Sequence, residues 1–178
     1  MAAEAIARSS DVMQENADQR ALKRTLGRYP TGVAVVTARR GDGTPVGLTV
    51  NSFTSVSLEP PLILWCLANE SPNLPVFRDA AHFGISVLAA DQQWVSNRFA
   101  SPLEEKFAGI DWFEGEGGVP LLRGSVAHLH CRHYSRHPGG DHVILLGQVA
   151  RFDNTGGEPL VYLGGDYHVA QPPGERGS

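Results

Sequence analysis

The chain has 178 residues, a formal net charge of −4, and 42% hydrophobic against 19% charged residues, a balance that suits one domain able to bury about 70% of the surface its unfolded chain exposes. No run of Lys or Arg offsets the acidic balance, which excludes nucleic acid as an expected partner. The first twenty residues lack the apolar stretch of about 7–15 residues found in secretion signals, and no apolar run approaches the ~18 residues that cross a bilayer, so a soluble cytoplasmic protein without membrane contact is expected.

In chain order, residues 1–17 are polar and small and are expected to form a flexible tail. Ala21, Leu22, Thr25, Leu26 and Tyr29 recur at helical spacing, which predicts an amphipathic helix over 18–28, halted before Pro30. Apolar, β-branched runs then predict strands at Val33–Ala38, Val46–Asn51, Pro61–Ala68, Phe83–Ala90, Val126–Tyr134 and Val143–Phe152, with turns at Gly41-Asp42-Gly43 and Pro138-Gly139-Gly140. Short helices are expected between them. Ser71-Pro72 offers a capping hydroxyl and a first-turn proline before Asn73–Ala80, Asp91 is placed to cap Gln92–Ala100, and Ser101-Pro102-Leu103-Glu104 has the form of a capping box. Residues 171–178 are expected to form a second flexible tail, leaving one domain over 18–170. Six or more strands with few helices favour a closed or half-closed antiparallel barrel.

Several chemistries lack their motif. There is no phosphate-binding G-x-x-x-x-G-K-[ST] loop, no G-x-S-x-G elbow, and Gly115, Gly117 and Gly118 run into Val119-Pro120 rather than into the third glycine of a dinucleotide fingerprint. Cys66 and Cys131 are the only cysteines, too few for a disulfide framework. In His128-Leu129-His130-Cys131-Arg132-His133 the alternation of a strand puts His128 and His130 on one face and Cys131 and His133 on the other. Neither face supplies three or four metal ligands, so no metal site is expected; the plain reading is a polar outer face with Cys131 turned to the core.

The segment from Gly47 to Leu62 joins two strands through a high density of hydroxyl and amide groups. Together, RYPTGVAVVTA, GLTVNSFTSVSLEPPLILWCLA and GGDHVILLGQV resemble the flavin reductase family that serves two-component monooxygenases, and the similarity runs over about residues 21–168. The resemblance implies a mainly β fold, a split β-barrel of the FMN-binding Greek-key type with a few short peripheral helices. It also implies a homodimer with FMN or FAD bound near the subunit interface. Hydride would come from NADH or NADPH, and reduced flavin would pass to a partner monooxygenase. Carried over by position, Thr49, Val50, Asn51 and Ser52 would run along the flavin, Cys66, Leu67 and Ala68 would line the same site, and Ser71 would point at the phosphate. Phe99 and Lys106 fall at further flavin contacts, Lys106 as a mobile phosphate partner. His142, in Gly140-Asp141-His142, would contact the nicotinamide cofactor as the catalytic position. Tyr167 is a candidate for stacking on an aromatic cofactor. Asp166 stands where the family often has Arg or Lys, which leaves open what that loop contacts. Rival readings within the same fold are an FMN-retaining oxidase of the pyridoxamine-phosphate oxidase type and a non-catalytic flavin- or haem-binding barrel.

Overall fold

The computed structural model describes residues 17–170; the expectations for 1–16 and 171–178 lie outside the described residues. The first element is α1, residues 17–26. It ends in a turn in which Gly27 N–H donates to Lys23 O, and Arg28 and Tyr29 follow with hydrogen bonds to Thr25 and Leu26, so the helix stops two residues before the expected 28.

Seven strands form one antiparallel sheet: β2 (Ala34–Arg39), β3 (Pro45–Val50), β4 (Thr54–Leu58), β5 (Pro61–Ala68), β6 (His82–Val87), β9 (Ala127–Gly139) and β10 (His142–Asn154), in the order β3-β2-β6-β9-β10-β5-β4. A smaller sheet holds β1 (Thr31–Gly32), β11 (Leu160–Leu163) and β12 (Asp166–Val169), and β7 (Trp112–Glu114) pairs with β8 (Pro120–Leu122) as a hairpin. One apolar cluster contains Val46 and Val50 from one edge strand together with Ile63, Trp65 and Leu67 from the strand next to the other edge. The large sheet therefore curls over a shared interior, while β3 and β4 remain the unpaired lips of an open, split barrel. Trp65 is fully buried there, meeting Phe77 and Phe83 edge-on at centroid distances of 5.0 and 5.9 Å, a favoured aromatic geometry. The strand β2 is covered on both faces: Ala34, Val36 and Ala38 enter this interior, whereas Val35, with Val33 just before the strand, joins Leu88, Val95, Phe99 and Leu122 in a second cluster outside it. A strand buried on both sides reads as a continuous apolar run, as Val33–Ala38 does.

The predicted strands are present, with β9 and β10 extended into a long hairpin and β6 ending at Val87. The polar stretch after Asn51 contains an extra strand, β4, which pairs with β5.

The helix boundaries need correction. α2 spans Leu74–Asp79 with Asn73 at its N-cap and no side-chain cap; Ser71 Oγ instead accepts from Asn73 N–H at 3.3 Å, inside the turn that precedes the helix. α3 spans Gln93–Ala100. Gln92 closes the preceding turn by accepting from Ala89 N–H at 3.0 Å, a task that the longer amide performs in place of Asp91. No helix follows Ser101; its hydroxyl donates back to Arg98 O at 2.7 Å and terminates α3.

The expected polar outer face at His128 and His130 is also corrected. Both are buried, at 4% and 3% exposure, because the segment 112–122 folds over that face. His128 Nε2 donates to Leu122 O at 2.7 Å, and its ring stands edge-on to Phe113. His130 Nδ1 accepts from Glu116 N–H at 2.8 Å, which directs its Nε2 proton to Asp153. Cys131 faces the core as expected, and burial pushes its thiol up to about 12.

Candidate functional site

A groove of about 880 Å³ lies between β3, the turn before α2, and the end of α3 with the loop that follows it. Its size is within the range of small-molecule sites. Gly47 sets the width. A Cβ on Gly47 would sit 2.7 Å from the Phe99 ring, so only glycine lets β3 lie this close to α3. Phe99 is wholly buried and stands edge-on to Phe107 at 5.0 Å, forming a rigid apolar floor.

The groove brings together four of the predicted contacts: Thr49, Ser71, Phe99 and Lys106. Lys106 is not the mobile charge that the sequence suggests. Its Nζ donates to Phe99 O at 2.8 Å, and partial burial lowers its pKa. Arg98 holds the backbone that carries it, donating from Nε to Lys106 O at 2.6 Å and from Nη2 to Glu105 O at 3.0 Å. Arg40 adds a second cation to the lining, and Glu104 an anion. Sequence reasoning missed Arg40 and Arg98, since neither lies in a recognisable motif; Arg40 reaches the groove only through the fold, and Arg98 acts through the backbone of Glu105 and Lys106.

A second group assembles at the end of β5. Ser52 Oγ accepts from Cys66 N–H at 2.9 Å, continuing the ladder beyond Thr54↔Leu64, where β4 stops pairing. The bend that presents exposed Asn51 is thus stapled to β5 by a side chain. The Cys66 thiol is half-buried; burial raises its pKa and the Ser52 hydrogen bond opposes the shift. Val50 and Leu67 point into the core at 7% and 2% exposure, which leaves mainly their backbone for a ligand. Ala68 pairs with His142 across β5 and β10. His142 Nδ1 donates to Asp141 at 2.7 Å, and that hydrogen bond, with the imidazole's charge, holds the Asp141 carboxyl below its usual range. Asn69 fixes the turn, donating from its backbone to Asp141 O at 2.9 Å and from Nδ2 to Gly140 O at 3.1 Å; Gly140 adopts the φ of +75° that this turn requires. The segment 66–71 links the two groups along the chain, from Cys66 and Ala68 beside His142 to Ser71 in the groove lining.

Tyr167 stands apart. Its hydroxyl lies 2.8 Å from Ser96 Oγ and donates to Asn97 Oδ1 at 3.1 Å, while its ring packs on Tyr162, behind α3 rather than in the groove lining. Among the described residues, no group of three or more His, Cys, Asp or Glu side chains gathers as a metal site.

The flavin reductase-like domain model matches residues 26–171, a span that contains the whole groove and the His142 turn. The chain belongs to the flavin reductase family. An FMN reductase (NADH) from Agrobacterium fabrum is 44% identical over 150 residues, covering 84% of this chain and 85% of that protein. The reductase component of a flavin-dependent trigonelline monooxygenase from Acinetobacter baylyi is 45% identical over 148 residues, covering 83% of this chain and 48% of that protein. This chain thus spans about half the length of some curated relatives, including 51% of a probable flavin reductase from Rhizobium meliloti. Among solved structures, an NADH:FAD oxidoreductase from Streptomyces globisporus, in complex with NAD and FAD fragments, superimposes with a TM-score of 0.84 at 38% identity, covering 89% of this chain and 96% of that one. As in this flavin reductase family member, the mainly β expectation holds: the chain is an open split barrel with a few short helices.

Proposed function

We propose that the protein reduces FMN or FAD with NADH or NADPH and supplies the reduced flavin to a partner monooxygenase in the cytoplasm. The observation that carries this reading is the lining of the groove, which sets Lys106, Arg40, Thr49 and Ser71 along one cleft; the Ala68–His142 pair lies three residues before Ser71 along the chain. The donor set fits a flavin nucleotide, since the cations and hydroxyls suit a phosphate and polyol chain while the partly exposed Leu48 and Phe107 offer apolar surface. Family membership and relatives named as reductases support the same reading.

Bound flavin supplies the ring that accepts a hydride from the reduced nicotinamide; no protein nucleophile is needed. Lys106 holds the anionic end, its ammonium kept in place by Phe99 O. Asn51, exposed on the bend that the Ser52 staple holds, would offer its amide to the polar edge of the ring. His142, with Nδ1 occupied by Asp141, directs Nε2 toward the incoming nicotinamide cofactor and orients it. The protein contributes geometry, which for two stacked reactants accounts for much of the rate.

The homodimer belongs to the same proposal. A second groove of about 510 Å³, apolar in its lining, runs from Phe53 and Ser55 past Leu58 and Leu62 to Phe152. Leu58 is 94% and Phe152 73% exposed, and β4 presents a free strand edge of the kind that proteins cover. Because this surface begins immediately after Asn51-Ser52, a second copy seated on it closes the open side of the flavin site.

A steady-state assay with added flavin tests the reading. Consumption of NADH or NADPH that depends on free FMN or FAD is expected, and His142→Ala should lower kcat/KM for the nicotinamide cofactor about tenfold, roughly 1.4 kcal/mol, with flavin affinity nearly unchanged. Oxygen consumption with an amine substrate, or flavin binding without turnover, would instead establish one of the rival readings.

A further inference from the structure

Ser96 is polar yet wholly buried in α3, and its two oxygen atoms serve two different elements. Its carbonyl accepts the Thr49 hydroxyl at 2.7 Å, on the groove wall in β3. Its hydroxyl lies 2.8 Å from the hydroxyl of Tyr167, in β12. Tyr167 directs its own proton to Asn97 Oδ1, which leaves Ser96 as the donor in the pair, since a phenol carries one proton. Thr49, Ser96, Asn97 and Tyr167 thus form one chain of hydrogen bonds across three elements.

We propose that Ser96 is a positioning residue for the groove: with Tyr167 it fixes the rotation and slide of α3 against β3, and so holds Thr49 and the Phe99 floor in register. This inference rests on the flavin reading of the groove. The physical reason is directional. α3 has eight residues, too few to be stable without tertiary contacts, and it is anchored by Val95 and Phe99. Apolar contacts favour burial but specify little about rotation, because the hydrophobic effect has no direction. Hydrogen bonds do specify it, since they weaken steeply away from linear geometry. Tyr167 accordingly acts through its hydroxyl, with Ser96 as the intermediary, rather than by stacking on a cofactor.

The test uses the full chain and FMN as the probe, with Ser96→Ala, Tyr167→Phe and the double variant. Both single changes remove one oxygen and keep the apolar frame, so either one can stand if the other fails to fold. Each single variant is expected to raise the FMN dissociation constant about five- to tenfold, and the flavin KM with it, while kcat at saturating flavin changes much less. The double variant is expected to be no weaker than Tyr167→Phe alone, because the two changes break the same bond. Unchanged FMN affinity in the single variants, a lowered melting temperature with unchanged affinity, or additive losses in the double variant would each overturn the proposal. Failure of the unmodified protein to bind FMN would overturn the flavin reading itself, and is seen before any variant is compared.

Discussion

Lys106 shows how burial changes what a residue can do. A lysine on a surface loop is a point charge on a flexible stem, but here Nζ is held by Phe99 O and partial burial lowers its pKa. A folded pKa below the unfolded one means that the ammonium costs folding stability at neutral pH, a cost that begins to shrink as pH rises through the lowered value and is gone above the unfolded one. Flavin affinity moves the other way, since the phosphate needs the charge. Affinity should therefore fall on the alkaline side, earlier than for a solvated lysine, and Lys106→Arg should flatten that fall because guanidinium stays charged. Lys106→Ala should weaken flavin binding by about 1–2 kcal/mol, the range for a partly solvated charge-assisted contact. Flavin titrations across pH decide this; an unchanged dissociation constant in Lys106→Ala would remove Lys106 from the site.

Among the elements, the contact of β3 with α3 determines the groove. Gly47 and Phe99 meet so closely that an added methyl has no room beside the ring, and the ring cannot retreat because it is fully buried and braced by Phe107. Gly47→Ala should push α3 away from β3 and cost about 1–3 kcal/mol, the range for overpacking a filled core, with a parallel loss of flavin affinity. Adding Phe99→Leu should recover part of the stability by making space. Denaturant melts of the single and double variants check both statements; a Gly47→Ala protein as stable as the original would show that the groove wall yields freely.

For the whole molecule, the open side of the barrel is the decisive feature. The exposed Leu58 and Phe152 flank an apolar groove next to the Asn51-Ser52 bend, and water contact there is unfavourable at about 25 cal/mol per Å² of apolar area. Light scattering should give about twice the 19.2 kDa chain mass. Phe152→Asp, which buries a charge if a second copy sits on that face, should shift the population toward monomer and weaken flavin binding together. A monomer at assay concentration in the unmodified protein would overturn the dimer.

Alternation and apolar runs determined most of the strands before any contact was known, because Val33–Ala38, Pro61–Ala68 and the 126–152 hairpin carry local patterns that only extended, buried backbone satisfies. Sequence also determined the family, through long motifs that coincide with the groove and the His142 turn. Helix starts were less legible. Ser71, Asp91 and Ser101 each have capping chemistry, yet the structure uses them or their neighbours for turns and for a C-terminus, since a local hydrogen bond can be made in several competing backbone conformations. The fate of His128 and His130 was decided wholly at the tertiary level, by a hairpin from residues 112–122 that covers their face of β9. The same is true of Lys106 and Ser96: their partners lie on other elements, up to 71 residues away in the chain, and no periodicity encodes which distant carbonyl or hydroxyl a side chain will meet once the sheet has curled.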